Sequence, residues 1–338
     1  MRPTRQLCLS LALSLAAGCG EASAPPTLTP SAPDRAAAAG APPTVAAPST
    51  PPSTASAAAD GRLSLDEARQ YLVDLINRDR ASGGLRPVTL DPGPATAAAQ
   101  RHADDMAAHG YLGHWGTDGS VPESRYTAAG GAGMDLENAL CFTDEAARPL
   151  DKAARIDPRE LDKAEAMFFH EVPPNDGHRK NMLRPWHDHA GIGIAQPAPT
   201  PNEIAGPCIS EELVADYGSY GPLPPQAKVG ATIHVEGEVR GAPTFAGVGL
   251  ARTDVPAPLS VHEANSRRSY PVPSPYATYW PHGFRTPKEV VVKNGHFTID
   301  LPLSDQGLPG LYEVSIWARF PETNDLQIIS LRTIDVTR

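Results

Sequence analysis

Seven of the chain's eleven histidines (His102, His109, His114, His170, His178, His187 and His189) fall between residues 102 and 189 of a 338-residue sequence. Uniform scatter would put about three in such a window. Glu137 and Glu171 stand among them. Imidazole with carboxylate is the donor set of zinc or a similar divalent ion, and the same groups move protons in hydrolysis. Taken singly, each histidine reads equally well as a surface or helix-capping residue. The grouping is what points to a site.

Sharper catalytic patterns are missing. His170-Glu171 opens like His-Glu-x-x-His, but the next histidine is His178 and Pro173-Pro174 would break the helix that pattern needs. No Gly-x-Ser-x-Gly elbow, Walker loop or Gly-x-Gly-x-x-Gly after a strand is present, and neither Cys141 nor Cys208 has the surroundings of a thiol protease.

The elements that would position such a site begin with a helix. Ser64-Leu65-Asp66-Glu67 has the form of a capping box, Ala68, Leu72, Leu75 and Ile76 follow at helical spacing, and Gly83-Gly84 closes the run. A second helix opens at Pro94 and reaches His109-Gly110. Short strand-like runs come late, at Gly191–Ala195 and Glu212–Tyr217, an order that predicts α+β packing rather than a parallel βαβ series. Residues 61–222 carry 15 Lys/Arg against 25 Asp/Glu, while residues 223–338 carry 11 of each, so the net charge of −10 belongs to the histidine-bearing segment. That sign disfavours nucleic acid and leaves a cation partner open.

The order Asp105-Met106-Ala107, Gly110-Tyr111-Leu112-Gly113-His114, Asp118-Gly119, Pro122, Arg125, Glu137-Asn138, Gly177-His178-Arg179-Lys180-Asn181-Met182-Leu183 and His189-Ala190-Gly191-Ile192-Gly193 resembles the CAP superfamily. This is the family of cysteine-rich secretory proteins, antigen 5 and pathogenesis-related 1 proteins, whose domain is also called SCP, and the likeness is to its bacterial secreted and lipoprotein branch. It covers about residues 65–220. The resemblance implies a three-layer α-β-α sandwich with a cleft holding two histidines and two glutamates, which in several branches takes zinc or another divalent ion. His114 and Glu137 match by motif, and Glu171 matches if Phe168 stands for the family's helix tryptophan. For the second histidine, His187 and His189 both precede the Gly-Ile-Gly strand, and alternation places them on one face. His178 belongs to the bacterial Gly-His-Arg-x-Asn motif, where it donates to backbone or binds metal. Two departures bear on the cleft: Leu136 replaces the family's glycine before Glu-Asn, and residues 142–163 form a charge-rich insertion. Ligand or partner binding is the favoured function, ahead of a structural role. The alternative is a metal-dependent hydrolase, a protease or cell-wall enzyme, with Glu137 and Glu171 as candidate catalytic groups.

The flanks add a location and a second domain. Arg2 and Arg5 precede the apolar stretch Leu7–Gly18, which is too short to span a bilayer but fits an export signal. Gly18-Cys19 resembles a lipobox, so residues 1–19 read as a lipoprotein signal with Cys19 lipidated, giving a membrane-anchored envelope protein, or a secreted one without the lipid. Residues 20–60, nearly all Ala, Pro, Ser and Thr with nine prolines, read as a disordered tether. Cys141 and Cys208 then remain in an oxidising setting, either as a disulfide or as two buried thiols. After residues 61–222, assigned to the CAP domain, the pattern of residues 223–338 turns to alternation, with Asn294-Gly295 at a hairpin turn, and reads as an immunoglobulin-like β-sandwich. Its Tyr270–His282 stretch is either a glycan- or peptide-binding loop or an aromatic flap over the core.

Overall fold

The computed structural model describes residues 61–142, 146–200, 206–267, 269–322 and 324–338. The signal, Cys19 and the tether therefore lie outside the described residues. The histidine-bearing segment comprises α1 (Leu65–Ser82), β1 (Thr89–Leu90), α2 (Pro94–His109), α3 (Pro122–Ala128), β2 (Met134–Cys141), α4 (Pro158–Phe169), α5 (Gly177–Met182), β3 (His189–Ala195) and β4 (Cys208–Ala215). Ser64 and Glu67 form the expected capping box of α1, and Gly110 ends α2 in a left-handed conformation.

The four strands form one sheet in the order β1-β3-β4-β2 with helices on both faces. Alternation divides the side chains cleanly. Ala190, Ile192, Ile194, Ile209, Leu213 and Leu140 join Leu72, Ile76, Leu161 and Phe168 of α1 and α4 in one core. On the other face Gly191 and Gly193 lie against the backbone of Ala95 and Ala99, so closely that a Cβ at either glycine would drive α2 off the sheet. Glu137, Ser210 and Glu212 share that second face. Cys141 and Cys208 stand directly opposite each other at the end of β2 and β4 and are disulfide-bonded.

The rest of the chain is β-rich: β5 (Gly218–Tyr220), β6 (Gln226–Lys228), β7 (Thr232–Val239), β8 (Thr244–Thr253), α6 (Val261–Ser266), β9 (Ala277–Tyr279), β10 (Val291–Lys293), β11 (His296–Pro302), β12 (Gly310–Arg319) and β13 (Leu326–Thr337). Two sheets, β10-β11-β7-β5 and β6-β13-β12-β8-β9, close over a shared core that includes Val235, Phe297, Leu250, Val314 and Ile334. The chain is thus α+β, and its β-rich part already begins at β5, before Pro222. Asn294 and Gly295 both take positive φ at the β10–β11 turn. Aromatic residues of the Tyr270–His282 stretch are engaged internally, Tyr270 against Trp115 and Tyr276 against Tyr312.

Candidate functional site

A strap from the β-rich part reaches the loop that carries His114. Leu259 N–H donates to Thr117 O and Asn265 Oδ1 accepts from Leu112 N–H, both across sequence separations of more than a hundred residues. Gly119 has φ +84° and lies against the backbone of Ala257, two reasons for a glycine there. From the other side Asp105 of α2 accepts from Thr117 N and Oγ1, and Arg125 Nη1 donates to His114 O at 3.1 Å. His114 is held by main-chain and side-chain bonds from three elements before its ring is considered.

The ring then meets Glu137. His114 Nδ1 is 2.9 Å from Glu137 Oε1, while Glu137 Oε2 accepts from Arg125 Nη2 at 2.6 Å and from Ser210 Oγ at 3.1 Å. Burial alone would raise the Glu137 pKa, but the Arg125 guanidinium, with His102 and His114, overrides it and holds the carboxyl well below the usual range. Glu137 is therefore ionised and fully engaged. Leu136, the departure from the family pattern, turns to the opposite face and packs near Met134 and Leu331, leaving Glu137 in this network.

A second pair mirrors the first. Glu171 Oε1 is 2.6 Å from His178 Nδ1, and Glu171 Oε2 accepts the main-chain N–H of His178 at 2.9 Å, which fixes the start of α5. The His178 ring packs on Phe168, with centroids 4.8 Å apart. Asn181 ties α5 to β2 by donating to Glu137 O and Asn138 Oδ1, and Asn138 in turn donates to His178 O and Glu211 Oε2. These bonds bring the two imidazoles together, with ring centroids 6.3 Å apart. The His114 side chain is 14% exposed and that of His178 29%, so the pair opens on the His178 side.

The second histidine of the cleft is thus His178, while His187 and His189 stand apart from it. His187 is fully buried, which pushes its pKa down to about 3 with Arg184 and Arg80 adding to the effect. His189 bonds Thr89 Oγ1 at 2.8 Å where β3 pairs with β1, on the far side of the sheet order from β2. His187 precedes β3 and is buried where His189 is partly exposed, so strand alternation does not relate the two, and β3 at His189 pairs with β1. Residues of the insertion contact the end of α2 and the start of α1, through Arg148 N to Ala108 O and Ile156 paired with Leu63.

Among the described residues, no three His, Cys, Asp or Glu side chains are grouped to hold a metal ion. Each carboxylate backs its own histidine at Nδ1, and both oxygens of Glu137 are taken. A zinc site made from all four residues does not fit this arrangement. What it presents is two imidazoles, each bonded at Nδ1 to its own carboxylate, so that in the neutral ring Nε2 is the acceptor.

Comparison with known proteins agrees with the motif order. Residues 73–204 match the family model of the cysteine-rich secretory protein family, CAP. Over this segment, less than half of the chain, the protein is similar to the CAP family. A 52-residue stretch is 44% identical to the error-prone DNA polymerase of Ralstonia pickettii (strain 12J), covering 13% of this chain and 5% of that protein. So short a share of that protein carries no argument about activity. Among the described residues no helix is long and apolar enough to cross a membrane.

Proposed function

We propose that this chain is an exported envelope protein, anchored through Cys19, that binds a ligand or partner between His114 and His178. Its CAP domain would occupy residues 61–222, and an immunoglobulin-like sandwich over residues 223–338 would hold the His114 loop and offer a contact surface. The observation that carries the reading is the pair of carboxylate-backed imidazoles. Their Nε2 acceptors suit donor groups, hydroxyls or amides, on a cell-surface glycan or peptide. Among the described residues the bonds to the two rings come from carboxylates rather than from a hydroxyl or thiol, and Glu137, locked to Arg125, is a poor base.

Incubating the full chain with purified peptidoglycan tests this directly. Retention on the polymer, without release of soluble fragments and lost in both His114→Ala and His178→Ala, is the expected result. Release of fragments that stops with a chelator and with Glu137→Gln would establish the metal-dependent hydrolase instead. Zinc titration by calorimetry in the same proteins reads whether a cation joins the two histidines.

A further inference from the structure

The stretch that joins β9 to β11 departs from its surroundings in both polarity and charge. Of the eight large apolar side chains that stand exposed among the described residues, three fall here: Phe284 is 65% exposed, Val291 47% and Val292 42%. Residues 281–293 carry Arg285, Lys288 and Lys293 against Glu289, in a chain whose net charge is −10. Single exposed apolar residues are ordinary, but three of them interleaved with cations are not.

The backbone gathers these groups at one end of the β-rich part. Pro281 and Val290 form a parallel bridge, with Val290 N–H donating to Trp280 O at 3.0 Å, so residues 282–284 and 291–293 leave it side by side in the same direction. Thr286 Oγ1 donates to Lys288 O at 2.9 Å and accepts from Trp280 N–H at 3.2 Å, which fixes the loop between them. The tip projects into solvent. Gly283 has φ +98° and a Cβ there would meet nothing within 4 Å, while the His282 side chain is 93% exposed. β10 has a neighbour on one side only, β11, and both Val291 and Val292 face water although successive strand residues point to opposite faces.

Shape and charge choose the partner. The apolar groups stand on a projection and not in a groove, so they suit a yielding surface that closes around them. The carboxylates nearby are drawn to histidines rather than to Arg285 or Lys293: Glu289 lies 3.3 Å from His282, Asp300 2.7 Å from His234 and Glu238 3.6 Å from His296. An aromatic ring beside cations is the composition that settles at the boundary between acyl chains and anionic headgroups. We propose that the β9–β10 loop and β10 form a membrane-contact surface, with Phe284, Val291 and Val292 entering the headgroup boundary of a bilayer and Arg285, Lys288 and Lys293 facing its anionic phosphates. This contact is separate from the anchor at Cys19 and stands whether or not Cys19 carries a lipid.

The test sediments full-length protein carrying Cys19→Ala, so that no acyl chain contributes, with vesicles of pure phosphatidylcholine and with vesicles of phosphatidylcholine and phosphatidylglycerol in equal parts. Stronger binding to the mixed vesicles at low salt is expected, weakened at least tenfold by Phe284→Ser and, separately, by Arg285→Glu with Lys293→Glu. These side chains are exposed, so both variants should keep the Tm of the parent, and either suffices if the other fails to fold. Val255→Ser, which removes a 57% exposed apolar side chain elsewhere, should bind as the parent does. The N-terminus is common to every sample, so the differences report this surface alone. Equal binding to the two vesicle types, or unchanged binding by the folded variants, would overturn the proposal. So would self-association that Phe284→Ser abolishes, which would assign the surface to a second copy of the chain.

Discussion

Buried carboxyl groups occur in two regions of this molecule under opposite terms. In the cleft, Glu137 has a guanidinium, a hydroxyl and an imidazole around it and is held ionised. Glu123 of α3 and Glu313 of β12 are both buried and act on each other electrostatically, with Tyr270 as the neutral donor to Glu123. Burial is the first cause raising both, and it pushes Glu313 up to about 9. Arg125 acts on Glu123 only weakly by comparison, and buried Asp135 of β2 adds more negative potential nearby. Buried carboxyls that act on each other keep their protons, where a carboxylate beside arginine gives its proton up. The cleft of His114 and His178 is fastened by charge, and the contact with the β-rich part is fastened by keeping charge out.

Four measurements bear on that contrast, the largest effect first. Arg125→Met should cost about 3–5 kcal/mol in urea unfolding, since it leaves Glu137 charged and buried. Glu313→Gln, by contrast, should be close to neutral at pH 5. The second measurement is pH. Glu313 has a folded pKa raised above its ordinary value of 4.5, so its stabilising contribution is complete below about 4.5 and is lost as pH rises towards about 9. Unfolding free energy should fall across that window, and Glu313→Gln should flatten the fall; an unchanged slope would remove the buried neutral Glu313 from the account. Glu211, raised to about 7, predicts a further part of the same decline that Glu211→Gln removes. Third, Glu171→Gln should cost about 1 kcal/mol or less, because its pair with His178 is partly solvated. Ser260→Ala, which removes the side-chain cap of α6 in the strap, should cost about 0.5–1 kcal/mol.

Local signals carried the sequence reading well where partners are near in the chain. Ser64 and Glu67, Pro94 and Gly110, and Asn294-Gly295 each state their conformation within a few residues, and the structure shows each. His114 and Glu137 were legible as motif members. The second histidine was not settled by alternation, because only His189 of the two belongs to a strand and that strand pairs with β1 rather than β2. The usable signal was Asn181, three residues after His178, whose amide can tie its helix to Glu137-Asn138. Glu123 and Glu313 gave no signal at all: their interaction depends on where α3 lies relative to β12, and neither residue's neighbours encode it.

The disulfide also sets what happens if the backbone is cut. Cys141 and Cys208 enclose Glu171 and His178 in one covalent ring, while His114 and Glu137 lie on the chain outside it. A single protease cleavage anywhere between residues 142 and 207 opens the ring but releases nothing. The two fragments stay joined beside β2 and β4, so a nicked, two-chain form would keep both halves of the cleft together until a reductant separates them.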